Sequence, residues 1–243
     1  KDTEDPLDHA MEMVLKILDF VKEKDAIPFA VFKPTGFGRF ALYQKIGEKK
    51  ELTDNEKEEW QRVVNRFDSV CKKAYDLNVS LLVDAEESWM QDAADDLIED
   101  MMRKYNKNSV IVFNTLQTYR WDRLPYLKAL NKRGEAEGFK VGMKVVRGAY
   151  LEKENDRAKE KGYPSPICAS KEETDKNFDE TIRYMVTKLD NISVFAGTHN
   201  EESCLKLMTR SLCVTFMRNL WNLALTNRIS LRPVVDLTTV LEC

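Results

Sequence analysis

The sequence contains no Cys-x-x-Cys pair, and its five cysteines, Cys71, Cys168, Cys204, Cys213 and Cys243, are odd in number and widely spread. This argues against both a disulfide framework and a zinc site and fits a reducing compartment, so no metal centre is expected. Histidine is scarce, with His9 and His199 the only two. No run approaches the roughly 18 to 20 apolar residues that would span a bilayer. The opening KDTEDPLDHA is acidic, unlike a signal or transit peptide. There is no initiator methionine before Lys1, and the true start of the protein is expected upstream of it. Blocks of like charge are also missing: a formal net charge of -3 with interspersed signs offers no basic face, so nucleic acid is not an expected partner. What is present is ordinary for a globular protein, 43% hydrophobic and 33% charged residues over a 243-residue chain, enough for one large domain or two small ones.

Five times a short apolar, strand-like run ends in a polar residue suited to chemistry, and a stretch of helical period follows. The runs are Ala26 to Phe32 ending at Lys33, Val79 to Val83 ending at Asp84, and Val110 to Phe113 leading to Gln117. The last two are Val141 to Val146 ending at Arg147, and Ile192 to Gly197 ending at Thr198-His199-Asn200. Between them, helices are predicted from Asp5-Pro6 to about Glu23, from the capping box Thr53-Asp-Asn-Glu56, and over Met90 to Lys104, Trp121 to Glu137 and Glu172 to Lys188. This is β-α repetition. In parallel α/β folds ligands bind at the carboxyl ends of the strands, so the five polar positions would converge on one site, as in an enzyme.

Each candidate has a bland reading beside the chemical one. Gly36-Phe-Gly38-Arg-Phe-Ala41 is a G-x-G-x-x-A string, but Pro34-Thr35 separates it from the strand, and a loop over the strand end is the preferred reading. Lys33 could be a Schiff-base amine, an electrostatic partner of Asp84 or a solvated loop lysine. Asp84-Ala-Glu86-Glu87 could supply a general base or hold Lys33, and three acids also suit a helix N-terminus. Lys144 and Val146 share one face of their strand by its period of two, whereas Arg147 takes the other face unless it belongs to the loop. Gly148 would let backbone approach a ligand closely. His199, between Thr198 and Asn200, reads as a ligand contact, and His9 as a surface residue.

Together these residues resemble the proline dehydrogenase family, flavin-dependent enzymes that oxidise L-proline to Δ1-pyrroline-5-carboxylate. The resemblance is carried by VFKPTGFGRFALY, LLVDAEESWMQDA, IVFNTLQTYRWDRL, MKVVRGAYLEKE, PSPICASKEETD and FAGTHNEES, in family order and spacing over roughly residues 1–207. It looks closest to compact single-function bacterial members. It implies a distorted (β/α)8 TIM-type barrel, here incomplete with five recognisable β-α units, and FAD across the carboxyl ends of its strands. Lys33 would lie near flavin and substrate with Asp84 as its ion-pair partner, and Tyr150 would shape the proline pocket. Gln117 would hydrogen-bond the isoalloxazine edge, Lys144 would lie beside flavin N5, and Val146, Arg147 and Gly148 would line the cofactor. Thr198, His199 and Asn200 would contact FAD again, and Lys171 and Thr174 its phosphate and adenosine half. Hydride would pass from proline C5 to flavin N5, and electrons then to a membrane quinone. The implied location is cytoplasmic and peripheral to the inner membrane in a bacterium, or mitochondrial in a eukaryote.

The sequence also departs from the family pattern. No Asp or Glu occurs between Ser203 and Asp236, and no lysine follows Lys206. The family's last helix carries a tyrosine and paired arginines that grip the proline carboxylate, yet this chain has no Arg-Arg pair, and Arg210, Arg218, Arg228 and Arg232 do not match that motif. Residues 208–243 therefore read as an anomalous tail, the altered or frame-shifted end of a longer sequence, attached to a partial barrel over 1–207 with impaired activity expected. Two other readings remain open: an aldolase-type lyase using Lys33 as Schiff-base amine, and a non-catalytic barrel remnant or binding module.

Overall fold

The computed structural model describes residues 4–24 and 26–209, so the anomalous tail falls almost wholly outside the described residues. Helix α1 (Glu4–Lys22) buries Leu7, Val14, Leu18 and Val21, one stripe at helical spacing, and packs on α3 (Asp54–Leu77). Arg66 of α3, almost fully buried, locks the two together by pairing with Glu4 and, at 2.8 Å, with Asp8. The predicted capping box is present, with Thr53 Oγ1 accepting from the Glu56 N–H and the Glu56 carboxylate accepting from the Thr53 N–H.

Strand β1 (Phe29–Phe32) runs into a 3-10 turn at Pro34–Gly36 and then α2 (Phe40–Gly47), a helix that the sequence reading did not include. After α3 come β2 (Ser80–Val83), α4 (Ser88–Tyr105), β3 (Val112–Gln117), α5 (Arg123–Glu137) and β4 (Val141–Val146). A second unpredicted helix, α6 (Leu151–Lys161), precedes α7 (Lys171–Val186) and β5 (Ile192–Ala196), and residues 201–209 are again helical. The third strand lies further along than Val110 to Phe113 and ends on Gln117 itself.

The sheet order is β1-β2-β3-β4-β5 with every neighbouring pair parallel, so it lacks the reversal of strand order that marks a doubly wound sheet. In a flat sheet β1 and β5 would be about 19 Å apart, four spacings of about 4.8 Å. Yet the Phe29 ring on β1 meets Phe195 of β5 at 5.1 Å between centroids and Phe113 of β3 at 5.4 Å. The sheet is therefore rolled, with odd-numbered strands meeting on the inside as they do in layers of a β/α barrel. Helices cover the outside: all six residues of β3 are buried, between the rolled interior and the helical layer. This curvature brings the five carboxyl ends to one rim.

Candidate active site

At that rim a cleft of about 380 Å³ is lined by Lys33, Asp84, Gln117, Lys144, Val146, Arg147, Gly148, Tyr150, Thr198 and His199, ten of the predicted site residues drawn from all five strand ends. Its central contact corrects an expectation. The Asp84 carboxylate takes its hydrogen bond, at 2.7 Å, from Lys144 Nζ rather than from Lys33. Asp84 follows β2 and Lys144 lies on β4, and alternate strands of a rolled sheet aim their inward side chains at one another across the intervening strand. Lys33 instead lies beside Tyr150 and Glu86. Burial pushes the Tyr150 phenol up, with Lys33 pulling it partly back.

Lys144 and Arg147 both face the cleft, because β4 stops at Val146 and Arg147 already belongs to the loop. The Arg147 guanidinium donates to Asp175 Oδ1, to Thr198 Oγ1 at 2.8 Å and to Ser203 Oγ at 3.2 Å, and it lies 4.4 Å from the Phe178 ring centroid. It ties the β4 loop to α7 and to the segment after β5. Lys171 and Arg147 together hold the Asp175 carboxyl below its ordinary range.

Gln117 is buried, and both ends of its amide are engaged by backbone: Nε2 donates to the Glu86 carbonyl at 2.8 Å and Oε1 accepts from the Ala149 N–H at 3.1 Å. One amide hydrogen is left for a ligand. Glu86 is the hub of the rim. Its carboxylate accepts from Thr35 N (3.0 Å) and Thr35 Oγ1 (2.7 Å), its N–H donates to Gln91 Oε1 (2.8 Å), and its carbonyl receives Gln117. Burial pushes its carboxyl up, opposed by the Thr35 contacts and by Lys33.

Gly148 sits at φ +144, and a Cβ there would come within 2.5 Å of the Tyr119 ring, which is itself buried. Both the backbone angle and the close approach require glycine. Gly148→Ala is expected to cost about 2 kcal/mol of stability, from strain plus overpacking, read from the urea midpoint. A wild-type midpoint would mean that Tyr119 can move aside.

Three predicted contacts lie outside the cleft lining. Lys171 is exposed at the start of α7 and pairs with Asp175 at 2.6 Å, and Thr174 Oγ1 donates to the Ser170 carbonyl. Asn200 caps the following helical stretch, its Oδ1 accepting from the Ser203 N–H at 2.9 Å. In the G-x-G-x-x-A string a Cβ on Gly38 would meet Val63 of α3 at 2.6 Å, so this glycine serves helix packing. Sequence reasoning missed Thr115, which lines the cleft while donating to the Val83 carbonyl at 2.8 Å; its signal was the period of two, two residues before Gln117 on one strand face. Among the described residues, no group of three or more His, Cys, Asp or Glu side chains could hold a metal ion, and no helix is long and apolar enough to cross a membrane.

The sequence profile of the family described as proline dehydrogenase matches residues 1–215. The chain belongs to the proline dehydrogenase family. That match runs past residue 207, where the motif resemblance ends. Among family relatives, the chain is 37% identical over 206 residues to the carbapenem antibiotics biosynthesis protein CarD of Pectobacterium carotovorum subsp. carotovorum, covering 85% of this chain and 54% of CarD. It is 32% identical over 163 residues to the mitochondrial proline dehydrogenase 1 of Drosophila melanogaster, covering 63% of this chain and 24% of the fly protein. The fold is shared with proline utilization A (PutA) from Bdellovibrio bacteriovorus, crystallised after inactivation by N-propargylglycine. The TM-score is 0.75 at 16% identity, over 87% of this chain and 23% of PutA. The chain thus spans about half of CarD's length and about a quarter of the fly enzyme's and of PutA's.

Proposed function

We propose that this proline dehydrogenase family member oxidises L-proline to Δ1-pyrroline-5-carboxylate with FAD as its cofactor. The observation that carries the reading is the convergence of Lys33, Gln117, Lys144 and Arg147 around Asp84, at the carboxyl ends of a rolled parallel sheet. The residues fit a flavin. The lining is rich in donors for the acceptor edge of an isoalloxazine ring, and the volume falls within the range of ligand pockets. Lys144, Gln117, Arg147, Val146 and Gly148 would hold the ring, with Thr198 and His199 at its border. Bound FAD would supply the acceptor for a hydride from proline C5, its electrons passing on to a quinone of the membrane that the enzyme associates with peripherally.

The protein's share of the chemistry is electrostatic. Proline arrives as an ammonium carboxylate; its nitrogen must give one proton to solvent before C5 can release hydride, which leaves an iminium, and loss of the remaining N–H proton to solvent then gives the imine. Lys33 and Lys144 favour the carboxylate and disfavour the ammonium, so the bound substrate is biased toward the neutral amine. Asp84 keeps Lys144 oriented at 2.7 Å, and Tyr150 walls the substrate side beside Lys33. The location follows the reading: the bacterial cytoplasmic face of the inner membrane, or the mitochondrion in a eukaryote.

The test is the visible spectrum of the purified full chain, reconstituted with FAD, before and after L-proline. Slow bleaching of the flavin absorbance on adding proline is expected, in keeping with the impaired activity that the anomalous tail implies; a yellow protein that proline does not bleach at all, or one that retains no flavin, would overturn the proposal. A second reading, in which the same oxidation serves antibiotic biosynthesis, is favoured by the 37% identity to CarD. Under it, deleting the gene would leave growth on proline as sole nitrogen source unchanged.

A further inference from the structure

Glu154 of α6 is fully buried, yet both of its carboxylate oxygens are taken by one residue of another helix. Oε1 accepts from the Ser88 N–H and Oε2 from the Ser88 hydroxyl, each at 2.6 Å. Ser88 is the first residue of α4, whose N-cap Glu87 makes no side-chain cap of its own. Capping ordinarily comes from the residue at the helix entrance; here a carboxylate is imported from 66 residues along the chain. Its neighbours on α6 reinforce the joint, Lys153 pairing with Glu87 at 2.9 Å and the Arg157 guanidinium lying 4.4 Å from the Trp89 ring centroid.

Both sides of this joint carry cleft residues close by. On one side Asp84 and Glu86 lie four and two residues before Ser88, and the Glu86 carbonyl receives Gln117. On the other side the Glu154 N–H donates to the carbonyl of Tyr150, the residue that opens α6 and walls the substrate side of the cleft. We infer that Glu154 is a positioning residue for the substrate pocket: by capping α4 from α6 it sets the separation between Tyr150 and the loop bearing Asp84 and Glu86. The inference rests on the proline-oxidation reading and adds a residue to it. A cap needed only for the stability of α4 could be supplied locally by a Ser or Asp at position 87. An imported one couples two walls of the cleft.

The test compares Glu154→Ala, Glu154→Gln and Ser88→Ala in the FAD-loaded full chain by steady-state kinetics and by hydrogen exchange. Glu154→Ala is expected to raise KM for L-proline about tenfold with kcat within about twofold. Glu154→Gln, which keeps the shape and one acceptor, should recover most of that loss, and Ser88→Ala should add little in the Glu154→Ala background. Amide exchange should quicken in residues 84–90 and 149–154 while residues 106–117 keep the wild-type rate. A fall in kcat at unchanged KM, or quickened exchange spread over the chain or confined to α6, would overturn the inference. If Glu154→Ala does not fold, the Gln and Ser88→Ala variants carry the same comparison. If the wild-type chain binds flavin but does not oxidise proline, the functional reading fails, and the exchange pattern alone still decides whether Glu154 positions both loops.

Discussion

Replacing Asn106 by alanine is expected to cost about 4 kcal/mol of stability. Asn106 closes α4, is fully buried and uses its whole amide on backbone. Nδ2 donates to the Val112 carbonyl (2.8 Å) and the Lys140 carbonyl (3.1 Å), and Oδ1 accepts from the Ile111 and Val112 N–H groups, both at 2.9 Å. These bonds join the end of α4, the start of β3 and the entry to β4. Alanine would take a partner from four backbone groups, three of them in buried contacts, each costing about 1 kcal/mol or more. The drop should appear as a lower urea midpoint at unchanged slope. A loss below about 1 kcal/mol would show that water can take the amide's place. Asn106→Asp should rescue little, since it keeps the acceptors, loses the donors and buries a charge.

Asp84→Asn is expected to lower kcat/KM for L-proline about 100-fold with flavin content retained. A charge-assisted hydrogen bond is worth about 1.5 to 3 kcal/mol, up to two powers of ten in rate. Asparagine would keep an oxygen near Lys144 but remove the one carboxylate that, among the described residues, lines the cleft together with Lys33, Lys144 and Arg147. Freed from its 2.7 Å partner, Lys144 would lose its fixed orientation in the cleft. Because the two side chains act as a pair, adding Lys144→Met to Asp84→Asn should cost less than the sum of the single changes. Additive losses would mean that the residues work independently.

Much of this arrangement was legible in the sequence because parallel strands advertise themselves as continuous apolar runs. Val141 to Val146 coincides with β4, and Ile192 to Gly197 exceeds β5 by one residue. The two missed helices carry weak signals. Helix α6 is LEKENDRAKEK, with only Glu154 and Ala158 buried, so it has no apolar stripe to read, and α2 is a short helix that begins two residues after Gly38. The site was legible as a set of strand ends but not as a set of contacts. Asp84 follows β2, next to β1 and Lys33 in the sheet, and a reading strand by strand pairs those neighbours. Only the roll of the sheet, seen where Phe29 meets Phe195, carries Lys144 over β3 to Asp84. Glu86 was noted as one acid among three, and nothing in the sequence could show that its carboxylate, N–H and carbonyl each hold a different segment.

Because the strands pair in chain order, a nascent chain leaving the ribosome can add each β-α unit to the edge of the one before it. At roughly 5 to 20 residues per second, the interval between the emergence of Lys33 and that of Ser203 is on the order of 10 s or more. Within that interval β1 and β2 can pair while Asp84 still waits for Lys144, and Arg147 is exposed before Thr198 and Ser203 exist to receive it. The cations of the cleft thus gather one at a time during translation, and the described lining of the cleft is assembled only once the residues that follow the fifth strand, Thr198 and His199, have been made.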